Sequence, residues 1–196
     1  MQACDIYIID FDDSFSYNIV STLNQMGLKS TFVNYKELIK KNNPYSNCIF
    51  ILGPGPGHPA DYHESLHSFL EGNFSLNNNF FLGICLGHQI ILSWLGYGLS
   101  KRLKPIHGQS REIIIPCWRE YFPSSYFGKR YYVQEYNSLC VVRNKNICKM
   151  VSSLYVSEGE ILMAESRHFI SYQFHPESVG TDDNSVFFNF IVRRCS

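Results

Sequence analysis

The chain has 196 residues, of which 45% are hydrophobic and 17% are charged. This length and composition suit one globular domain with a sizeable core, and we predict a single domain over residues 1–196. The formal net charge is zero, so no basic surface for nucleic acid is indicated. No apolar run approaches the roughly 20 residues that cross a bilayer, which argues against a membrane partner.

Cysteine spacing and the N-terminal residues bear on the cellular compartment. The seven cysteines are an odd number without a C-x-x-C pair, so neither a zinc site nor a disulfide framework is indicated. Met1–Asp5 leads directly into an apolar segment, without the basic and apolar stretches of a signal peptide. We therefore expect a cytoplasmic protein with no metal site.

The first half of the chain alternates strand and helix patterns. Ser14 is the expected N-cap of the first helix, which Gly27 would end. The Gly/Pro-rich residues 53–59 must form a loop, since neither a helix nor a ladder tolerates that composition. Buried strands are predicted over residues 6–9, 29–33, 48–52 and 80–84, and further helices over 64–70 and 87–95. This βαβ alternation predicts a parallel sheet with helices on both faces.

The second half contains short strand patterns separated by turns. They predict an antiparallel or mixed extension of the same sheet rather than a separate domain. The aromatic residues 118–132 are expected to form a surface excursion. The predicted strands are residues 113–115, 139–142, 151–156, 161–164 and 170–174, followed by a closing helix over 186–192.

The most informative segment is Gly83-Ile84-Cys85-Leu86-Gly87, where an apolar strand leads into a helix. A G-x-C-x-G turn is the cysteine counterpart of the serine nucleophile elbow. Cys85 would stand at a helix N-terminus, where the helix dipole favours the thiolate. The alternative is a buried structural cysteine between two close-packing glycines. The pentapeptide by itself leaves both interpretations open.

A thiol nucleophile needs a base, and His175 is the best placed of the seven histidines. It follows the last predicted strand, so it would join Cys85 at the carboxyl edge of the sheet, where ligands of parallel sheets bind. The proline after it favours extended backbone, which turns Glu177 to the same side. That carboxylate would fix the imidazole tautomer. His88 lies on the outgoing helix and points away from the mouth of the elbow.

The chain contains three motifs, at residues 53–57, 83–89 and 175–178. Their sequences and their order along the chain resemble those of class I (triad-type) glutamine amidotransferases. The opening residues 10–18 are similar to the start of the small subunits of anthranilate synthase and 4-amino-4-deoxychorismate synthase. The resemblance covers nearly the whole chain. It implies an α/β fold with a mostly parallel central sheet, helices on both faces and an antiparallel extension. The segments that carry it are residues 53–57, 83–89 and 175–178, together with His107-Gly108 and Tyr136-Asn137-Ser138-Leu139.

The resemblance implies hydrolysis of L-glutamine and delivery of ammonia to a chorismate-using synthase subunit. Cys85 would attack the glutamine amide to give a glutamyl thioester, His175 would transfer protons, and Glu177 would orient His175. The N–H groups of Leu86 and Gly55 would form the oxyanion hole. The implied glutamine-binding positions are Gly55, Gly57, Leu86, Gln89, Ser138 and Leu139. No cofactor is expected in this chain, whereas the partner synthase is expected to depend on Mg²⁺.

Some positions differ from the usual pattern of that family. Gly53 stands in place of a serine, Gln109 in place of a lysine and Asn137 in place of a histidine. The last two are expected near the partner-facing surface, so they concern coupling to the synthase rather than the chemistry. Two other functions stay open: a catalytically silent scaffold subunit, and the amidotransferase of carbamoyl-phosphate or GMP synthesis. The intact triad argues against the scaffold.

Overall fold

A computed structural model describes residues 4–40, 45–74, 78–144 and 148–195. Its strands are β1 (Asp5–Asp10), β2 (Thr31–Asn34), β3 (Cys48–Leu52), β4 (Phe80–Ile84), β5 (Gly98–Lys101), β6 (Gln109–Ile114), β7 (Arg130–Glu135), β8 (Leu139–Val142), β9 (Ser153–Ser157), β10 (Glu160–Ser166) and β11 (Phe169–Tyr172). Its α-helices are α1 (Ser16–Gln25), α2 (Tyr35–Leu38), α3 (His63–Asn73), α4 (Leu86–Trp94) and α5 (Asn189–Cys195).

The central sheet is parallel in one half and antiparallel in the other. Its strand order is β2-β1-β3-β4-β11-β10-β8-β5, with β9 also paired to β10. Neighbours from β2 to β11 are parallel, and the remaining pairs are antiparallel. The predicted fold class, a mostly parallel sheet with an antiparallel extension, is confirmed.

Helices cover both faces of the sheet, and each face has its own hydrophobic cluster. One cluster joins Ile8 and Leu82 of the sheet to residues of α1 and α5. The other joins Phe50 and Phe81 to residues of α3 and α4. Because successive side chains of a strand point to opposite faces, strands covered on both sides are apolar throughout. The five residues of β3 and the five of β4 are indeed all buried.

The strand register brings three chain segments to one edge of the sheet. Leu52 at the end of β3 lies opposite Gly83, and Ile84 at the end of β4 lies opposite Tyr172 at the end of β11. The residues that follow these three ends therefore meet at the carboxyl edge. They are the loop from Gly53, Cys85, and the segment that leads to His175.

A two-stranded ribbon of β6 and β7 stands outside the central sheet. Its Arg111 and Glu135 are held in an ion-pair network with Arg102 and Glu160, the latter on β10. The Arg111–Glu160 distance is 3.0 Å. Paired charges thus attach the ribbon alongside the apolar side chains of Ile113, Tyr131 and Val133, which join the hydrophobic core.

The expectation of a surface excursion over residues 118–132 holds only in part, because the segment is largely exposed but some of its aromatic residues are buried. Tyr121 and Phe122 are buried in the cluster that includes α5, and β7 starts within the segment at Arg130. The Tyr121 hydroxyl donates a hydrogen bond to the carbonyl of Ser166. The aromatic side chains are numerous here because they complete the core.

Two further local features differ from the sequence expectations. Ser14 is not the cap of α1: Asp13 Oδ1 accepts the N–H of Phe15 at 2.8 Å, and Asp10 Oδ1 accepts the Ser16 hydroxyl at 2.7 Å. Cys4 and Cys195 form a disulfide that the cysteine spacing did not indicate.

Across the described ranges, no helix combines the length and the apolar character that crossing a membrane requires.

Candidate active site

The turn at Cys85 has the geometry of a nucleophile elbow. Cys85 has φ 51° and ψ −99°, a conformation that non-glycine residues rarely adopt and that clusters at functional sites. Its N–H donates to the carbonyl of Tyr172 at 2.8 Å. A Cβ on Gly87 would lie 2.0 Å from the Leu52 carbonyl oxygen, and one on Gly83 2.8 Å from Gly87. Both glycines are therefore required by close backbone approach, and together they hold Cys85 in place.

His175 and Glu177 form a buried pair beside this elbow. Glu177 Oε1 lies 2.8 Å from His175 Nδ1, and both residues are buried. The His175 N–H donates to the carbonyl of Gln134 at 2.8 Å, so the end of β7 sets the position of the histidine. Pro176 and Glu177 lie in a turn closed by the Ser178 N–H, which donates to the His175 carbonyl at 3.2 Å. This turn, rather than the expected extended backbone, brings Glu177 to the histidine.

Aromatic rings enclose the imidazole of His175. Its centroid lies 5.0 Å from that of Phe15 and 5.0 Å from that of Tyr136. The turn before α1, which Asp10 and Asp13 stabilise by hydrogen bonds, positions Phe15 next to the imidazole. The Asp-x-x-Asp opening of the chain thus has a structural purpose, which is to place a ring against the histidine.

The electrostatics of the pair favour a protonated imidazole. Burial lowers the pKa of His175, but the negative charges of the Cys85 thiolate and the Glu177 carboxylate raise it more, so it lies well above its usual value when Cys85 is deprotonated. His175 Nε2 and Glu177 Oε2 are buried and have no hydrogen-bond partner among the described residues. Such unpaired buried atoms are rare and need an explanation. A proton-transfer role explains the free Nε2.

A cavity of about 180 Å³ opens onto the Cys85 turn. Its walls come from the Gly/Pro-rich loop, from α4 and from the chain between β7 and β8. All six expected glutamine-binding positions line this cavity. The lining residues are Gly55, Pro56, Gly57, Cys85, Leu86, Gln89, Tyr136, Asn137, Ser138 and Leu139.

Two backbone amides beside the cavity are free to donate. Leu86 is the first residue of α4, so its N–H has no acceptor within the helix. Neither this N–H nor that of Gly55 makes a hydrogen bond with a described residue. A Cβ on Gly55 would lie 2.5 Å from Leu86 Cδ2, so the two residues are in close contact. Two such amides can stabilise negative charge that develops on a substrate oxygen.

Asn137, expected from the sequence near the partner-facing surface, is not itself exposed. It is buried and lines the cavity, and its Nδ2 donates to the Leu139 carbonyl at 2.8 Å. It thereby fixes the cavity wall from within. Gln109 and His107, by contrast, are exposed.

Sequence reasoning missed Gln173. This buried residue lies with its Nε2 3.9 Å from Cys85 Sγ, and its Oε1 accepts from Gln89 Nε2 at 3.2 Å. Ser171, two positions earlier, faces the same helix and contacts His88. The signal in the sequence was the pair of polar side chains at positions i and i+2, Ser171 and Gln173, within an otherwise apolar segment.

His88 is a buried structural residue in this arrangement. Its Nδ1 lies 2.9 Å from Ser171 Oγ and its Nε2 lies 3.0 Å from the Ile161 carbonyl oxygen. A carbonyl only accepts, so Nε2 carries the hydrogen and Nδ1 accepts from the hydroxyl. Burial lowers the pKa of His88 to about 3, which keeps it neutral.

The fold and the site define an α/β protein with a buried cysteine, histidine and carboxylate at the carboxyl edge of its sheet. The family model of glutamine amidotransferase class-I matches residues 7–194. The chain therefore belongs to the class I glutamine amidotransferases.

Two relatives agree with this family, and a solved structure agrees with the fold. Anthranilate synthase component 2 of Saccharolobus solfataricus is 31% identical, over 95% of this chain and 97% of that protein. Anthranilate synthase component 2 of Cyanidium caldarium is 30% identical, over 90% of this chain and 91% of that protein. The crystal structure of a putative GMP synthase component from Thermoplasma acidophilum has the same fold, with a TM-score of 0.76 and 18% identity, covering 100% of this chain and 95% of that one.

Proposed function

We propose that this chain is a single-domain glutamine amidotransferase subunit that hydrolyses L-glutamine and passes ammonia to a chorismate-using synthase subunit. The observation that carries the proposal is the cavity beside Cys85, whose walls contain all six expected glutamine-binding positions. The relatives named anthranilate synthase component 2 support the choice of synthase. Synthesis of anthranilate and of 4-amino-4-deoxychorismate both fit.

In the first half of the reaction, the Cys85 thiol gives its proton to His175 Nε2. The thiolate attacks the side-chain amide carbon of glutamine, forming a C–S bond and an oxyanion. The N–H groups of Leu86 and Gly55 donate to that oxyanion. His175 then protonates the amide nitrogen, the C–N bond breaks, and ammonia leaves a glutamyl thioester on Cys85.

In the second half, His175 is neutral again and takes a proton from a water molecule. The hydroxide attacks the thioester carbon, and the C–S bond breaks as the oxyanion collapses. Glutamate leaves, and the sulfur recovers the proton from His175. Glu177 accepts the Nδ1 hydrogen throughout, so Nε2 always faces the reaction. Side chains supply the nucleophile and the proton carrier, so the proposal includes no cofactor in this chain.

Gln89 has one atom suited to the amino group of glutamine. Its Nε2 donates to the Leu139 carbonyl at 2.9 Å and to Gln173 Oε1 at 3.2 Å. Both Nε2 hydrogens are then used, which leaves Oε1 to accept from the substrate ammonium. Backbone groups at Ser138 and Leu139, which adjoin Gln89, would hold the carboxylate.

Apolar surface for a protein partner lies beside the cavity. Leu103 and Val179 are exposed over essentially their whole surface. Arg102, next to Leu103, donates its N–H to the Ser138 carbonyl, and Ser178, next to Val179, hydrogen-bonds the Tyr136 hydroxyl. Both exposed residues thus adjoin the cavity wall, where the heteromer would place the synthase subunit.

Replacing Cys85 tests the proposal. Cys85→Ser is expected to abolish glutamine-dependent product formation in the reconstituted complex and to leave ammonia-dependent synthesis intact, because the synthase needs only the nitrogen source. Cys117→Ser, at an exposed thiol, is the matched control. Near-normal glutamine turnover by Cys85→Ser would overturn the assignment, and an inactive wild-type complex would indicate a silent scaffold.

The synthase subunit is expected to activate the glutaminase. Gly55, one of the two oxyanion donors, lies on the Gly/Pro-rich loop, and losing such a donor typically costs about 10²–10³ in rate. If docking of the synthase subunit aligns the Gly55 N–H with the oxyanion, docking would therefore switch on glutamine hydrolysis. Glutamine turnover by the purified chain, measured with and without chorismate and the synthase partner, tests it; equal rates would count against gating but not against the triad.

A further inference from the structure

The side chain of Gln173 links the glutamine cavity to the sulfur of Cys85. It lies just beyond β11 and is fully buried. Its backbone N–H donates to the Leu162 carbonyl at 2.9 Å, so its Cα is fixed by the neighbouring strand. Its amide contacts Gln89 on one side and Cys85 on the other.

The hydrogen bonds define which way each amide points. The Leu139 carbonyl is only an acceptor, so the group of Gln89 that faces it must be the NH₂ group. The second hydrogen of that group meets Gln173, which must therefore present its oxygen. The NH₂ group of Gln173 then faces Cys85 Sγ, at 3.9 Å. A backbone carbonyl thus orients both side chains.

We propose that Gln173 stabilises the Cys85 thiolate by donating an N–H to its sulfur, and that Gln89 holds Gln173 in this orientation. The inference rests on the proposed glutaminase function, in which Cys85 is the nucleophile. A sulfur that bears a negative charge is a far better acceptor than a thiol, so the contact strengthens when His175 takes the proton. Gln89, which would bind the substrate amino group, then also holds the Gln173 side chain in its donating orientation.

Position and burial make Gln173 suited to this role. The NH₂ group lies in a site closed to solvent, where a hydrogen bond to a charged group is stronger than in water. His175 would supply a positive charge to the same sulfur, and its pKa is raised in part by the Cys85 thiolate. The thiolate would thus have both an ion-pair partner and a neutral donor.

The test uses two variants and measures alkylation of Cys85 as well as turnover. Gln173→Glu keeps an oxygen for Gln89 but replaces the donor to sulfur by a carboxylate. Gln173→Met removes both contacts. Iodoacetamide is added to the full chain, and the alkylated Cys85 peptide is quantified by mass spectrometry at several pH values. We expect alkylation at neutral pH to slow about 10-fold or more and the pH profile to move to higher pH.

Glutaminase kinetics separate the two contacts. For Gln173→Glu we expect kcat to fall about 10- to 100-fold with KM little changed, because Gln89 keeps its brace. For Gln173→Met we expect KM to rise as well.

Asn79→Asp is the matched control. Asn79 is a buried amide immediately before β4 whose Oδ1 accepts from the Cys48 N–H and whose Nδ2 donates to the Tyr45 carbonyl. The Asn79→Asp substitution thus removes the same kind of amide donor, but at a position far from the cavity.

Each outcome is decisive. Folded Gln173 variants with wild-type alkylation profiles would overturn the proposal, as would slowing of the same size in Asn79→Asp. If the Gln173 variants slow alkylation while even the wild-type complex lacks glutaminase activity, the contact is supported and the proposed function fails, because alkylation requires no glutamine. Should Gln173→Met not fold, Gln173→Glu, which has nearly the same shape, provides the measurement.

Discussion

Replacing His88 by glutamine is expected to remove much of the acid sensitivity of this fold. His88 is fully buried beneath the sheet, and its two ring nitrogens are satisfied by Ser171 and the Ile161 carbonyl. Protonation would require Nδ1 to give up its role as an acceptor in a dry environment. His88→Gln retains a polar side chain there but no longer titrates.

The size of the effect of His88 on the free energy of unfolding follows from proton linkage. Burial lowers the pKa of His88 from 6.5 to about 3. Between these values the unfolded chain binds a proton that the folded chain does not, so the contribution to stability is complete above about 6.5 and is lost as the pH falls towards about 3. At about 1.4 kcal/mol per unit, going from about pH 7.5 to about pH 5.5 lowers the free energy of unfolding by about 1.4 kcal/mol.

Urea unfolding of the wild type and of His88→Gln at both pH values measures this contribution. His175, with its raised pKa, changes stability in the opposite direction, but it is present in both proteins and cancels. The wild type is expected to lose about 1.4 kcal/mol more than the variant on acidification. Equal losses in the two proteins would refute the assignment of His88 as a buried neutral group.

Three further predictions follow from the site and the core. His175→Asn is expected to lower the glutaminase kcat by several orders of magnitude and Glu177→Gln by less, measured at saturating glutamine; equal losses would contradict a purely orienting role for Glu177. Gly87→Ala places a Cβ 2.0 Å from the Leu52 carbonyl oxygen, so we expect poor folding, visible as a lower Tm or insolubility; a wild-type Tm would contradict the tight packing. Cys195→Ser removes a link between residues 191 positions apart, worth up to about 5 kcal/mol by chain entropy. Its urea midpoint without reductant should therefore be lower, and a midpoint equal to that of the wild type would show that the link does not form.

The parallel half of the fold could be predicted because its sequence carries strong local signals. β3 and β4 are apolar at every position, and the turn at Cys85 combines glycines with a helix start. Gly/Pro density marks the loop that lines the cavity. These signals depend only on neighbours in sequence, so they are readable without tertiary information.

The ribbon of β6 and β7 could be predicted only in part: the strand expected over residues 113–115 overlaps the end of β6, whereas β7 was not recognised. Arg111 and Glu135 give these strands a polar pattern, and only the fold shows that Glu135 is buried against two arginines. Asn137 and Gln173 were missed or misplaced for a related reason. For Asn137 no local pattern distinguishes a buried amide from an exposed one, and for Gln173 the polar i and i+2 positions indicated burial but not its partners.

The Cys4–Cys195 disulfide has a practical consequence for tethering. Cys4 precedes β1, whose carboxyl end lies at the edge of the sheet that carries the cavity, so the two bonded cysteines lie at the opposite edge. A six-residue strand spans about 20 Å. A tag or a fused domain attached beyond Cys4 or Cys195 is therefore anchored about that far from the cavity, and a linker that brings a fused domain to the cavity must span at least that distance. Immobilisation at these cysteines would leave the cavity facing solution.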